Sequence, residues 1–229
     1  MVNVNTVYQT VLSLADKDQG GYITPQEFNL FANHAQNEIF EQYFYDLNQF
    51  KRVPGNQSDY ADAIGIIQDK ISAFIETQNF GAGGEYILPL NFYRASKIFV
   101  NDKYFAEKTS REQGYLMTQA PPLVRPTESR PIFYLFEKRL IIRPVPSTVY
   151  MSYIKRPLAA NWTYIVSQNA KKPLYNASAL DHQHFELHSS EEKNLVHKIL
   201  QLAGVSTKDF NTAQFANAEE VKSIQQEKS

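Results

Sequence analysis

From Phe28 to Leu47 the apolar residues Phe28, Phe31, Ala32, Ala35, Ile39, Phe40, Tyr43, Phe44 and Leu47 recur at spacings of three and four. That period places them on one stripe of a long amphipathic helix, which must bury its stripe against other elements. The preceding residues set where the helix begins. Thr24 supplies an N-cap hydroxyl, Pro25 suits the first helical position, and Glu27 stands three residues after the cap, as a capping box requires. A bundle at the N-terminal end of the chain is therefore expected.

The same stretch admits a second reading. Asp16, Asp18, Gly21, Ile23 and Glu27 fall at the positions of an EF-hand loop, a spacing that gathers oxygen ligands around one hard cation. Position 5 usually supplies a side-chain oxygen, and here it is Gly20. Only Asp16, Asp18 and Glu27 then remain as side-chain ligands, and no second loop pairs with the first. The segment is read as a glycine turn followed by a capped helix, with no cofactor expected.

Two further helices flank this one. Val4, Val7, Val11, Leu12 and Ala15 mark a short first helix, and Tyr60, Ala63, Ile64, Ile67, Ile71, Phe74 and Ile75 mark a third, with Ser58 as its cap. Gly81 to Gly84 reads as a flexible hinge, after which short runs rich in aromatic and branched residues predict strands: Tyr86 to Pro89, Ser96 to Val100, Tyr104 to Phe105, and Val149 to Ile154. Ile132 to Phe136 and Leu140 to Ile142, joined by Glu137 and Lys138, predict a hairpin. Prolines punctuate the region and guard its edges, so a small antiparallel sheet is expected.

Helical character returns at Ser189, with Glu192 completing a capping box and Gly204 as the stop. The fold class is α+β: a helical part over residues 1–80, an antiparallel β part over 85–165, and C-terminal helices over 181–229 that complete the bundle. The tail from Asn211 onward has only Phe215, Val221 and Ile224 as an apolar side, which suits a helix completed by a partner.

Composition narrows the function. Among 229 residues, 23 Lys and Arg face 24 Asp and Glu, so the chain lacks the basic excess of a protein that grips nucleic acid through phosphate. The absence of cysteine removes disulfides, thiolate nucleophiles and Cys-type zinc sites. The first residues form neither a signal peptide nor a membrane span, which predicts synthesis and retention in a cytoplasm and makes chance matches of the glycosylation triplets at Asn56, Asn161 and Asn176. His182, His184 and His188 lie in one short stretch, and the alternation of two of them would put them on one strand face, but no fixed carboxylate or fourth ligand stands at a diagnostic distance. His34 and His197 are read as surface or packing residues. No hydrolase elbow, Walker loop or dinucleotide fingerprint is present, so no catalytic residue is assigned and no enzyme is expected.

Gly21 to Asn29, Asn33 to Phe44, Ile87 to Asn101 and Phe185 to Val205 together resemble structural proteins of tailed bacteriophages, most closely the connector or ring proteins of crAss-like and related marine podoviruses. The order of helical, β and helical parts is also similar in outline to the podovirus tail adaptor below the portal. The resemblance implies a virion protein repeated around the tail axis in about twelve copies, contacting the portal protein and a neighbouring tail ring. DNA would only pass through its channel, for genome retention and ejection, and the resemblance offers no catalytic residues. A calcium-dependent or glycan-binding attachment module is the alternative.

Overall fold

A computed structural model describes residues 1–17, 23–52, 58–166 and 173–207. It is an α+β protein of two compact units: a helical unit, Met1–Ala73 with Pro157–Ser229, and a β unit, Phe74–Arg156, inserted between its halves. The β unit begins earlier than the glycine run suggests. Ile75 lies in a strand rather than at the end of the third helix, and Gly81 to Gly84 connects two strands inside the β unit. These glycines are held, since the Tyr86 hydroxyl donates to the carbonyl of Gly81 at 2.9 Å and also to that of Gly83.

The helical unit contains α1 (Val4–Lys17), α2 (Pro25–Arg52), α3 (Ser58–Ser72) and α5 (Glu192–Thr207); α4 belongs to the β unit. Helix α2 packs against α3 and α5, and α1 against α5. The predicted stripe is the core face: Phe28, Ala32, Ala35, Ile39, Phe40 and Tyr43 are buried, opposite buried Leu195 and Ile199 of α5 and Val7 and Val11 of α1. Two details of α5 differ from expectation. It continues through Gly204 to Thr207, and a 3-10 turn, Ser189–Glu191, precedes it. The cap of that turn is His188, whose ring nitrogen accepts from the Ser190 amide at 3.3 Å, in place of the anticipated Ser189 box.

A polar row runs beside the apolar stripe of α2. Asn29, Asn33 and Gln36 stand at i, i+4 and i+7, one face of a helix. Asn29 donates to Asn161 Oδ1 and accepts from the Trp162 amide, each at 2.9 Å. Asn33 donates to the carbonyl of Ala160 at 2.9 Å, and Gln36 to that of Leu158 at 2.8 Å. The Gln36 carbonyl also accepts from the Glu186 amide at 3.2 Å, while Glu186 Oε2 accepts from the Leu158 amide at 2.9 Å. The chain returning from the β unit is thereby fastened along α2, and its buried backbone groups find partners. Lower in the bundle, the buried Glu191 carboxylate meets Lys70 of α3 at 2.7 Å and accepts from Asn194 at 2.9 Å.

Where one small antiparallel sheet was expected, the β unit holds two four-stranded sheets. The first has the order β1 (Ile75–Phe80), β8 (Val149–Lys155), β3 (Phe92–Val100), β4 (Tyr104–Phe105). The second runs β2 (Glu85–Ile87), β7 (Arg139–Arg143), β6 (Ile132–Phe136), β5 (Glu107–Lys108), and its β5–β6 pair is parallel. Ile98, Val149, Met151 and Tyr153 from one sheet share a core with Tyr86, Phe133, Leu140 and Ile142 from the other. Glu137 and Lys138 take left-handed φ of 46° and 60° in the predicted hairpin, matching a type I′ turn.

Helix α4 (Arg111–Gln119) packs on β6. Ser110 caps it, accepting from the Gln113 amide at 3.2 Å. Its close approach depends on Gly114, where an added Cβ would stand 2.7 Å from Cδ1 of Tyr134. A last antiparallel pair, β9 (Tyr164–Val166) with β10 (Pro173–Tyr175), belongs to the helical unit.

Two substitutions test this framework. Gly114→Ala should lower the stability of the β unit by about 1–3 kcal/mol through overpacking, read by urea denaturation, and Tyr134→Ala in the same chain should recover part of the loss. Gln36→Met keeps the volume but strips partners from the Leu158 carbonyl and the Glu186 amide. It should cost about 2–5 kcal/mol, and a change under about 0.5 kcal/mol would mean that the amide row is dispensable.

Candidate functional site

The turn before α2 is built as a capping box. The Glu27 amide donates to Thr24 Oγ1 at 3.3 Å, while Glu27 Oε2 accepts from the Thr24 amide at 3.0 Å and from its hydroxyl at 2.8 Å. These bonds, the backbone one foremost, hold the Glu27 carboxyl below its usual range. Asp16 lies in the last turn of α1, and Asp18 falls outside the described residues. So do Phe215, Val221 and Ile224 of the tail. Among the described residues no three His, Asp or Glu side chains are grouped to hold a metal ion, and no helix is long and apolar enough to cross a membrane.

The structure brings together two of these three histidines. The rings of His182 and His184 meet edge to face at 4.6 Å, while His188 serves as the cap already described. They end an aromatic stack in which Tyr8 lies 3.9 Å from Trp162, and Trp162 lies 6.0 Å from Tyr175, whose hydroxyl is 3.1 Å from His182 Nε2. His184 Nδ1 accepts from the Val4 amide at 3.3 Å, so that nitrogen carries no proton. The pair closes the N-terminal end of α1 rather than presenting a pair of ligands to solvent. His34 is exposed on α2 and His197 half-buried on α5.

One polar cluster in the β unit has the residue types of a catalytic group. Glu76 accepts from the Tyr153 hydroxyl at 2.9 Å and from Asn91 at 3.3 Å, and its other oxygen is 3.1 Å from Lys155 Nζ. The Tyr153 bond, then Lys155, lowers the Glu76 pKa, whereas burial followed by Glu76 raises that of Tyr153. A phenol held in its protonated form by a carboxylate is the reverse of an activated nucleophile. The cluster instead ties β1 and β8 to the turn before β3.

The described residues offer more for association than for chemistry. Beside α4, on the outer face of the second sheet, lies an open groove of about 750 Å³. Its floor is Tyr134, Phe136 and Ile141, and Tyr115 of α4 stands over it, 63% exposed. The Arg111 guanidinium lies 3.7 Å from the centre of the Phe136 ring, a cation–π contact that secures the start of α4. Glu85 lies 3.7 Å from both Arg139 and Arg143. The groove-lining carboxylates of Glu112 and Glu137 have no ion pair or hydrogen bond among the described residues.

Large apolar residues also stand in solvent on both units. Leu90 and Leu180 have the exposure of free residues, at 101% and 108%. In β9 Ile165 and Val166 are exposed, at 59% and 58%, while the ring of Tyr164 stacks on Trp162. Helix α4 and strand β9 were not among the expected elements. The Ser110-x-x-Gln113 capping pattern was the available signal for the first, and the Tyr-Ile-Val run for the second.

Burial is the first cause that lowers the pKa of His184, followed by His182 and the amino terminus. A depressed histidine favours the neutral form in the fold, so the unfolded chain binds more protons between the folded value and the ordinary one near 6.5. Its contribution to stability is present above about pH 6.5 and lost as the pH falls through the folded value. Protonation would also turn the Val4 acceptor into a donor at the positive end of α1. The melting temperature should therefore fall as the pH drops below about 6.5, and His184→Gln should flatten that limb; an unchanged slope would exclude His184 as its cause.

No protein-family model matches this chain, and no curated protein matches it.

Proposed function

We propose that this chain is a virion structural protein of a tailed bacteriophage, a subunit of the head–tail connector ring that joins portal to tail and extends the DNA channel. The observation that carries the reading is the uncovered apolar surface on both units, above all the β9–β10 pair. Ile165 and Val166, consecutive apolar residues of a two-stranded ribbon, stand in water. Such a ribbon is marginal by itself and gains stability when another surface covers it. A protein repeated in an assembly meets that need in every copy.

The phage assignment itself rests on the four segments that resemble connector proteins. Two of them, Asn33 to Phe44 and Phe185 to Val205, pack together in the helical unit, so the resemblance falls on the body of the subunit rather than on its loops. A near-balanced charge supports a lumen through which DNA slides without being held.

The purified chain mixed with portal should give rings stacked on the portal in negative-stain images. Deleting 211–229 should weaken that attachment at least tenfold while leaving the melting temperature within about 2 °C. A chain that remains monomeric beside portal and binds glycans on an array would replace the connector reading with the attachment module.

A further inference from the structure

The loop that leaves α4 is built to present a tip. Proline stands at 121, 122 and 126, and the amides of Val124 and Arg125 donate to the Pro121 carbonyl at 3.0 and 3.1 Å. Thr127 and Arg130 close the far side, the Arg130 amide donating to the Thr127 carbonyl at 3.0 Å. At the tip Leu123 is 91% exposed and Val124 51% exposed, with Arg125 exposed beside them. A braced apolar tip in water has already lost the conformational freedom that binding would otherwise remove.

The same unit carries a receptor of matching character. The groove beside α4 has an aromatic and aliphatic floor and is sized for a short loop rather than a whole helix. Its charged lining is Arg111 and Arg139 against Glu85, Glu112 and Glu137, a net charge of -1. The loop carries Arg125 and Arg130 against Glu128, a net charge of +1. Among the described residues Glu112 and Glu137 are the two carboxylates of the lining without partners, and Arg125 is a cation at the tip.

We propose that copies of this chain join head to tail through the β unit, the Leu123–Val124–Arg125 tip of one copy seating in the groove beside α4 of the next. The proposal rests on the reading of the chain as a repeated subunit and names the contact that repeats it. The exposure of Leu123 shows that the tip does not fill the groove of its own chain. Tip and groove are different surfaces, so the contact is heterologous: each copy offers one and receives the other, and the chain of contacts closes into a ring when the rotation permits. One loop in one groove buries less than the roughly 800 Å² per partner of a standard interface. Its part is to set direction and register while other surfaces add area.

Because the chain has no cysteine, single thiols can be placed at will. Leu123→Cys and Tyr115→Cys are made separately in the full chain, mixed, and treated with a short bis-maleimide. The mixture should give a covalent dimer at least tenfold above either variant alone. Arg125→Glu in the Leu123→Cys chain should reduce that yield, and Glu137→Lys in its partner should restore it. Equal yield from Leu123→Cys alone would indicate a two-fold contact and overturn the proposal, as would absence of the mixed dimer at the highest soluble concentration. Both substituted side chains are exposed, and circular dichroism verifies that the variants fold. Electron micrographs of the same samples separate the two levels. Rings without the mixed dimer would refute the tip–groove contact and leave the connector reading standing; the mixed dimer without portal binding would do the opposite.

Discussion

Everything in the helical unit depends on how the chain comes back to it. After the β unit, residues 157 onward must lie against α2, and an extended segment brings unpaired amides and carbonyls into a buried place. Asn29 and Gln36 answer this with side chains that both donate and accept, and Asn33 with one that donates. Gln36 spans two returning pieces, the carbonyl of Leu158 and the amide of Glu186, and Glu186 closes the circuit on the Leu158 amide. Apolar side chains in this row would fill the space and leave those groups unpaired. With the row in place, Phe185 and Leu187 are buried and α5 is delivered to the core face of α2.

The β unit solves a different problem. Its strands are short, and each sheet supplies only part of an apolar layer, so two sheets share one core in the manner of a sandwich. The outer face of the second sheet is then divided. Helix α4 covers part of β6, admitted by Gly114, while the rest of the outer face, from β6 across β7 to β2, stays open as the groove. The groove is thus what remains when a helix of nine residues covers part of a four-stranded sheet.

Much of this was legible in the residues. The stripe from Phe28 to Tyr43 and the Thr24–Glu27 box are local patterns, and local patterns carry their own physics. The β6–β7 hairpin was equally readable, with its turn at Glu137 and Lys138. Other features depend on distant residues. Ile75 continues a helical period but pairs with Ile154 in a strand, a choice made by tertiary contact. Gly204 looked like a stop, yet a helix packed on α1 and α2 tolerates an interior glycine. The amide row carries no signature at all, because its partners lie more than a hundred residues away in sequence. The groove was invisible for the same reason, being assembled from α4, the second sheet and a turn.

The insertion of one unit within the other has a consequence for the order of events during synthesis. The β unit is continuous from Phe74 to Arg156, so its contacts can all form as soon as that stretch has emerged. The helical unit cannot finish then, because α2 waits for partners that begin at Leu158 and end in α5. For the time needed to make those residues, α2 can pack on α1 and α3, but the part of its aromatic face that meets α5 has no partner. Its exposure is limited by translation rather than by the speed of helix formation, and ends when α5 arrives.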